Sequence, residues 1–258
     1  MRVERLSAIA DDFDGVLIDQ FGVIHDGRTL YPGALDVLRA LKARQIPVAV
    51  LTNSGKRAAA NRDRLERMGV PRDAFTDVVS SGEVAWKALR ATTPTPRAWV
   101  IGRSGEEYGF EGVPMVEEPH MADLILILGS NAPETTLDDY RALFRGLTLP
   151  ALCCNPDLHM LTGNGLQPAP GAIAKIYEEL GGRVTWVGKP YPAIYDEAVA
   201  LIGHPRRVLC IGDSAAHDVA GARAAGHATL LVMTGVSAGL DPASLDPQPD
   251  YWMESLTW

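Results

Sequence analysis

Residues 15–27 read GVLIDQFGVIHDG. A short, unbroken apolar run suits a strand buried on both faces of a parallel sheet, and here it stops at a carboxylate, Asp19. In open α/β sheets the residues just beyond the carboxyl ends of the strands meet the ligand. The same pattern recurs along the chain, as PVAVL at 47–51, AWVIG at 98–102, DLILILG at 123–129, VTWVG at 184–188, RVLCIG at 207–212 and ATLLVM at 228–233. Between these runs, apolar residues fall at helical spacing, for example Ala34, Val37, Leu38 and Leu41, or Ile194, Ala198, Leu201 and Ile202. The alternation predicts an α/β fold with a doubly wound parallel sheet.

The 258 residues carry 24 basic and 32 acidic side chains, a formal charge of −8, and 47% are hydrophobic. That composition supports a full core, and its acidity argues against nucleic acid or an anionic membrane as partner. An anionic substrate would need a local positive centre. Cys153 and Cys154 are adjacent and Cys210 is distant, which gives neither a disulfide framework nor a zinc-type spacing. The first residues, MRVERLSAIADDFDG, hold no apolar stretch of signal length, and none of spanning length follows, so a cytoplasmic location is expected.

Strand ends with chemical character occur near both ends of the chain. Asp19 ends one apolar run, Thr52-Asn53-Ser54 the next, Lys189-Pro190 follows VTWVG, and Gly212-Asp213-Ser214 follows RVLCI with Asp218 close behind. The stretch 83–183 has strands and helices of its own but no comparable acidic strand end. The expectation is a core formed by 1–82 and 184–258, interrupted by an inserted α/β domain. Three carboxylates, a hydroxyl and a lysine on one rim have a chemical logic. Clustered carboxylates suit a hard cation such as Mg²⁺, which also removes the repulsion between an attacking carboxylate and a phosphate dianion. A lysine and a hydroxyl can take up charge on a transferring group.

Together these segments resemble the haloacid dehalogenase superfamily of aspartate-nucleophile hydrolases. DQFGVIHDG leading to PGA at 32–34 is similar to the first motif, VAVLTNSGK at 48–56 to the second, VGKPYPAIY at 187–195 to the third and IGDSAAHDVAGARAAG at 211–226 to the fourth. The PGA, LTN, NPD (155–157) and GKP strings resemble subfamily IIA, the NagD and 4-nitrophenyl-phosphatase-like enzymes, which carry a C2-type α/β cap between the second and third motifs. The resemblance implies a Mg²⁺-dependent phosphatase of small phosphorylated substrates. Asp19 would be nucleophile and metal ligand, joined on the metal by the backbone carbonyl of Phe21 and by Asp213 and Asp218. Thr52 and Asn53 would bind phosphoryl oxygens and Lys189 would balance charge. Asn155, Asp157 and His159 of the cap would face the substrate. A homodimer through the cap is a further expectation.

DFDGVL at 12–17 is closer by letter to the first motif, but LSAIAD before it makes no buried strand, so Asp12 and Asp14 are expected to be solvated. One departure matters more. Where the family places its general acid, two residues after the nucleophile, this chain has Phe21. His25 and His159 are the candidates to replace it. Cleavage of a different bond, or binding of a phosphometabolite without turnover, are the alternative readings.

Overall fold

The run GVLID forms β1 (Gly15–Asp19), buried along its whole length. After it come α1 (Ala34–Ala43), β2 (Val48–Thr52), α2 (Ala58–Arg67) and β3 (Asp77–Ser80). Ala34, Val37, Leu38 and Leu41 make the buried face of α1, as their spacing predicts. The computed structural model describes residues 1–162 and 165–258.

A second set of elements follows: α3 (Ser81–Ala91), β4 (Ala98–Ile101), β5 (Met115–Val116), β6 (Leu124–Ile127), α4 (Leu137–Phe144), β7 (Ala151–Cys153), β8 (His159–Thr162), β9 (Gly165–Pro168), α5 (Pro170–Glu179) and β10 (Val184–Trp186). The Ser80 side chain caps α3 by accepting from Glu83 N, and Thr136 and Asp139 form a capping box on α4. The chain closes with α6 (Pro192–Leu201), β11 (Val208–Gly212), α7 (Ala220–Ala224), β12 (Ala228–Val232) and β13 (Tyr251–Met253). On α6, Ile194 and Ala198 are buried as expected, whereas Leu201 is 37% exposed at the helix end.

Two compact units result, one of Met1–Thr52, Ala59–Val79 and Lys189–Trp258, the other of Asn53–Ala58 and Ser80–Gly188. The first unit holds a six-stranded sheet in the order β13-β12-β11-β1-β2-β3, parallel from β13 to β2. From β1 the chain winds outward through β2 to β3, and from β11 outward through β12 to β13. The strand order therefore reverses between β1 and β11, and a crevice at their carboxyl ends is where such sheets bind ligands. Asp19 ends β1 and Asp213 directly follows β11.

The second unit has its own parallel sheet, β10-β7-β6-β4-β5, and the antiparallel pair β8 and β9. Its core gathers Trp99, Ile125, Ile127, Phe144, Ile173 and Tyr177, and the Tyr177 hydroxyl donates to Leu149 O at 2.6 Å. No helix among the described residues is long and apolar enough to cross a membrane.

Candidate active site

At the β1/β11 crevice four buried charges meet. Lys189 Nζ lies 2.8 Å from Asp19 Oδ1 and 2.7 Å from Asp218 Oδ1. One carboxylate oxygen from each of Asp19, Asp213 and Asp218 can be chosen so that all lie within 4.8 Å of one another. The lysine is only 3% exposed. Burial alone would lower its pKa, but the two carboxylates raise it well above its ordinary value and hold it as ammonium. One ammonium against three carboxylates leaves two negative charges unmatched in a desolvated place. Burial, opposed by Lys189 and reinforced by Asp218, accordingly pushes Asp19 up to about 7. Burial and the charges of Asp19 and Asp218 push Asp213 up as well.

The backbone around the carboxylates fixes their oxygens. Gln20 N donates to Asp19 Oδ1 at 2.8 Å, Val236 N to Asp213 Oδ2 at 2.8 Å and Ser214 N to Asp218 Oδ2 at 3.0 Å. Both oxygens of Asp218 are therefore engaged, while Asp19 Oδ2 and Asp213 Oδ1 have no hydrogen-bond partner among the described residues. Asp218 lies in a π-helical turn, Ala215–Val219, wider than an α-helical turn, which precedes α7. Glycine clears the space these groups occupy. A Cβ at Gly212 would overlap the Asp218 carboxylate, and one at Gly22, whose φ is +86°, would overlap Asp213. Two carboxylate oxygens with open lone pairs, beside a cluster two positive charges short, suit a divalent cation with oxygen preference.

Thr52, at the end of β2, is buried and tied to this centre through Gln20, whose Nε2 donates to Thr52 Oγ1 and to Asn61 Oδ1 of α2, each at 3.1 Å. Neither Gln20 nor Asn61 stands out in the sequence, because neither falls at a spacing that marks chemistry.

Phe21, two residues after Asp19, is 40% exposed. Its ring meets His25 edge-on at 5.8 Å. His25 is fully buried, and its Nδ1 accepts from Gly27 N at 2.9 Å, so the imidazole braces its own loop. Burial, helped by the nearby charge of Arg64, lowers its pKa to about 4 and keeps it neutral near neutral pH. Asp14 pairs with Arg207 on the surface, apart from this cluster.

The remaining sequence-derived candidates lie in the second unit. Asn53 Nδ2 donates to Asp157 Oδ1 at 2.9 Å, and Asp157 N donates to Asn155 Oδ1 at 2.9 Å, so these three form one connected set. His159 is exposed at the start of β8.

Known proteins resemble this chain along its length. A family model described as haloacid dehalogenase-like hydrolase matches residues 16–114, and a second model of HAD-like hydrolases matches 186–258. The crystal structure of a haloacid dehalogenase-like hydrolase from Brucella suis 1330 is 30% identical, with 99% of this chain and 100% of that one covered and a TM-score of 0.88. Ribonucleotide monophosphatase NagD of Escherichia coli is 25% identical over 93% of this chain and 96% of its own length. The glycerol phosphate phosphatase of Mycobacterium tuberculosis, solved in complex with calcium, is 29% identical over 95% of this chain and 74% of that one, with a TM-score of 0.71.

Proposed function

The chain belongs to the haloacid dehalogenase-like hydrolases, subfamily IIA, and from that premise we propose a Mg²⁺-dependent phosphatase of small phosphorylated metabolites that works through an aspartyl-phosphate on Asp19. The observation that carries the reading is the buried cluster of Asp19, Asp213 and Asp218 with Lys189 bridging two of them. Asp19, Asp213, Asp218 and the backbone carbonyl of Phe21 would hold the metal, whose charge would offset the repulsion between these carboxylates and a phosphate dianion.

Asp19, pinned through Oδ1 by Gln20 N and Lys189, attacks phosphorus; the oxygen–phosphorus bond forms as the bond to the leaving oxygen breaks. Lys189 balances charge at the nucleophile, and Thr52 and Asn53 bind phosphoryl oxygens. Water then attacks the phosphorus of the intermediate, which frees Asp19 and releases inorganic phosphate. No side-chain acid at position 21 protonates the leaving oxygen, so good leaving groups, aryl and acyl phosphates among them, turn over best. Asn155, Asp157 and His159 would select among leaving groups. The nucleotide and glycerol phosphates named for the relatives make a first natural panel.

The test is phosphate release from 4-nitrophenyl phosphate with Mg²⁺ or with EDTA, for wild type and Asp19→Asn. Turnover that requires both metal and Asp19 is expected. Turnover that persists in Asp19→Asn would overturn the nucleophile assignment.

A further inference from the structure

Gln20 follows the proposed nucleophile directly and is buried, 3% exposed. Its main chain and its side chain serve different neighbours. The backbone N donates to Asp19 Oδ1, while Nε2 gives one hydrogen to Thr52 Oγ1 and the other to Asn61 Oδ1. With Asn61 Oδ1 as the acceptor, the reverse Gln20 orientation would set Oε1 against it, acceptor against acceptor. In the assigned orientation Oε1 is buried without a hydrogen-bond partner among the described residues. A methionine or leucine would fill the same space without that desolvation cost, so packing alone gives no reason for an amide here.

What the amide does is fill a lone pair on Thr52. A threonine hydroxyl has one hydrogen and two lone pairs, and its β-branched side chain has few rotamers. With Gln20 donating into Oγ1, the Thr52 hydrogen must be directed away from Gln20. We propose that Gln20 is a positioning residue: it sets the Thr52 hydroxyl as a hydrogen-bond donor to the transferring phosphoryl group, and Asn61 holds the Gln20 amide in place. The inference rests on the phosphatase reading above and adds to it a residue that has no assigned role there.

Inorganic phosphate, titrated by calorimetry in the presence of Mg²⁺, is the probe, with wild type, Gln20→Met, Thr52→Val and the double variant compared and melting temperatures recorded for each. Gln20→Met should weaken phosphate binding by about three- to tenfold, the size of one neutral hydrogen bond, with a parallel rise in KM for 4-nitrophenyl phosphate. In the Thr52→Val background the same change should cost less than about twofold, because the hydroxyl through which Gln20 acts is gone. Wild-type affinity in Gln20→Met, or an equal loss in both backgrounds, would overturn the proposal. Should Gln20→Met fail to fold, Asn61→Ala takes its place in the cycle under the same two criteria. Independent effects of Gln20 and Thr52 with Asp19 still essential would remove only the positioning role, whereas an active Asp19→Asn would remove the nucleophile.

Discussion

Lys189 Nζ stands 2.8 Å from Asp19 Oδ1, although the two residues come from opposite ends of the chain, and both are buried. The same ammonium also reaches Asp218, so it is the positive charge that lets two of the three carboxylates share a desolvated crevice. Replacing it leaves the carboxylates facing one another. Lys189→Met should lower kcat/KM by about 10² to 10³, as loss of one preorganised charge in a dry site does. It should also lower the melting temperature, more in EDTA than in Mg²⁺, because a divalent cation supplies part of the missing charge. Kinetics and thermal melts in both media check this, and an equal drop in the two would count against it.

A second expectation concerns pH in the absence of metal. Burial raises Asp19 from its ordinary 3.8 to about 7, against the opposing pull of Lys189, and Asp213 is raised for the same principal reason. The folded state thus binds these protons more tightly than the unfolded chain does. Their contribution to stability is fully present below the unfolded pKa and is lost as pH rises through about 7. Carboxylates held low, such as Asp123 at about 2, titrate well below that window. Metal-free protein should therefore melt at a lower temperature at pH 8 than at pH 6. Mg²⁺ should bind with release of protons and narrow the difference, and Asp19→Asn should flatten it. A higher melting temperature at pH 8 in EDTA would contradict the sign.

Much of this site is legible in the sequence. All seven apolar runs are strands, and Asp19, Thr52 and Asp213 stand at or just beyond the ends of β1, β2 and β11, three strands buried along their whole length that leave the same plain apolar pattern. The small strands were harder. β5 has two residues, and β8 begins with an exposed histidine, so neither offers an apolar run to detect. Nor does composition mark Asn53–Ala58, which clusters with the second unit through tertiary contacts although it follows β2 directly. The π-helical turn bearing Asp218 and the Gln20–Asn61 bond depend on backbone geometry and long-range placement, which spacing along the chain does not encode.

Phe21 stands where the family resemblance leads one to expect a general acid, and its surroundings make that expectation testable. The ring is 40% exposed and touches His25 edge-on, so its removal empties no part of the core. His25 itself is held neutral and bonded to Gly27 N, and cannot serve as an imidazolium acid near pH 7. On the proposed mechanism an alkyl phosphate would leave as an unprotonated alkoxide, whereas an aryl phosphate would need no such help. A positioned carboxylic acid is worth about 10² to 10⁴ in rate where proton transfer limits it. Phe21→Asp should then raise kcat for alkyl phosphates such as glycerol phosphate by about tenfold or more, with little gain on 4-nitrophenyl phosphate. The ratio of the two rates is the measurement. An unchanged ratio would mean that proton delivery to the leaving oxygen is supplied from elsewhere in the protein or does not limit turnover.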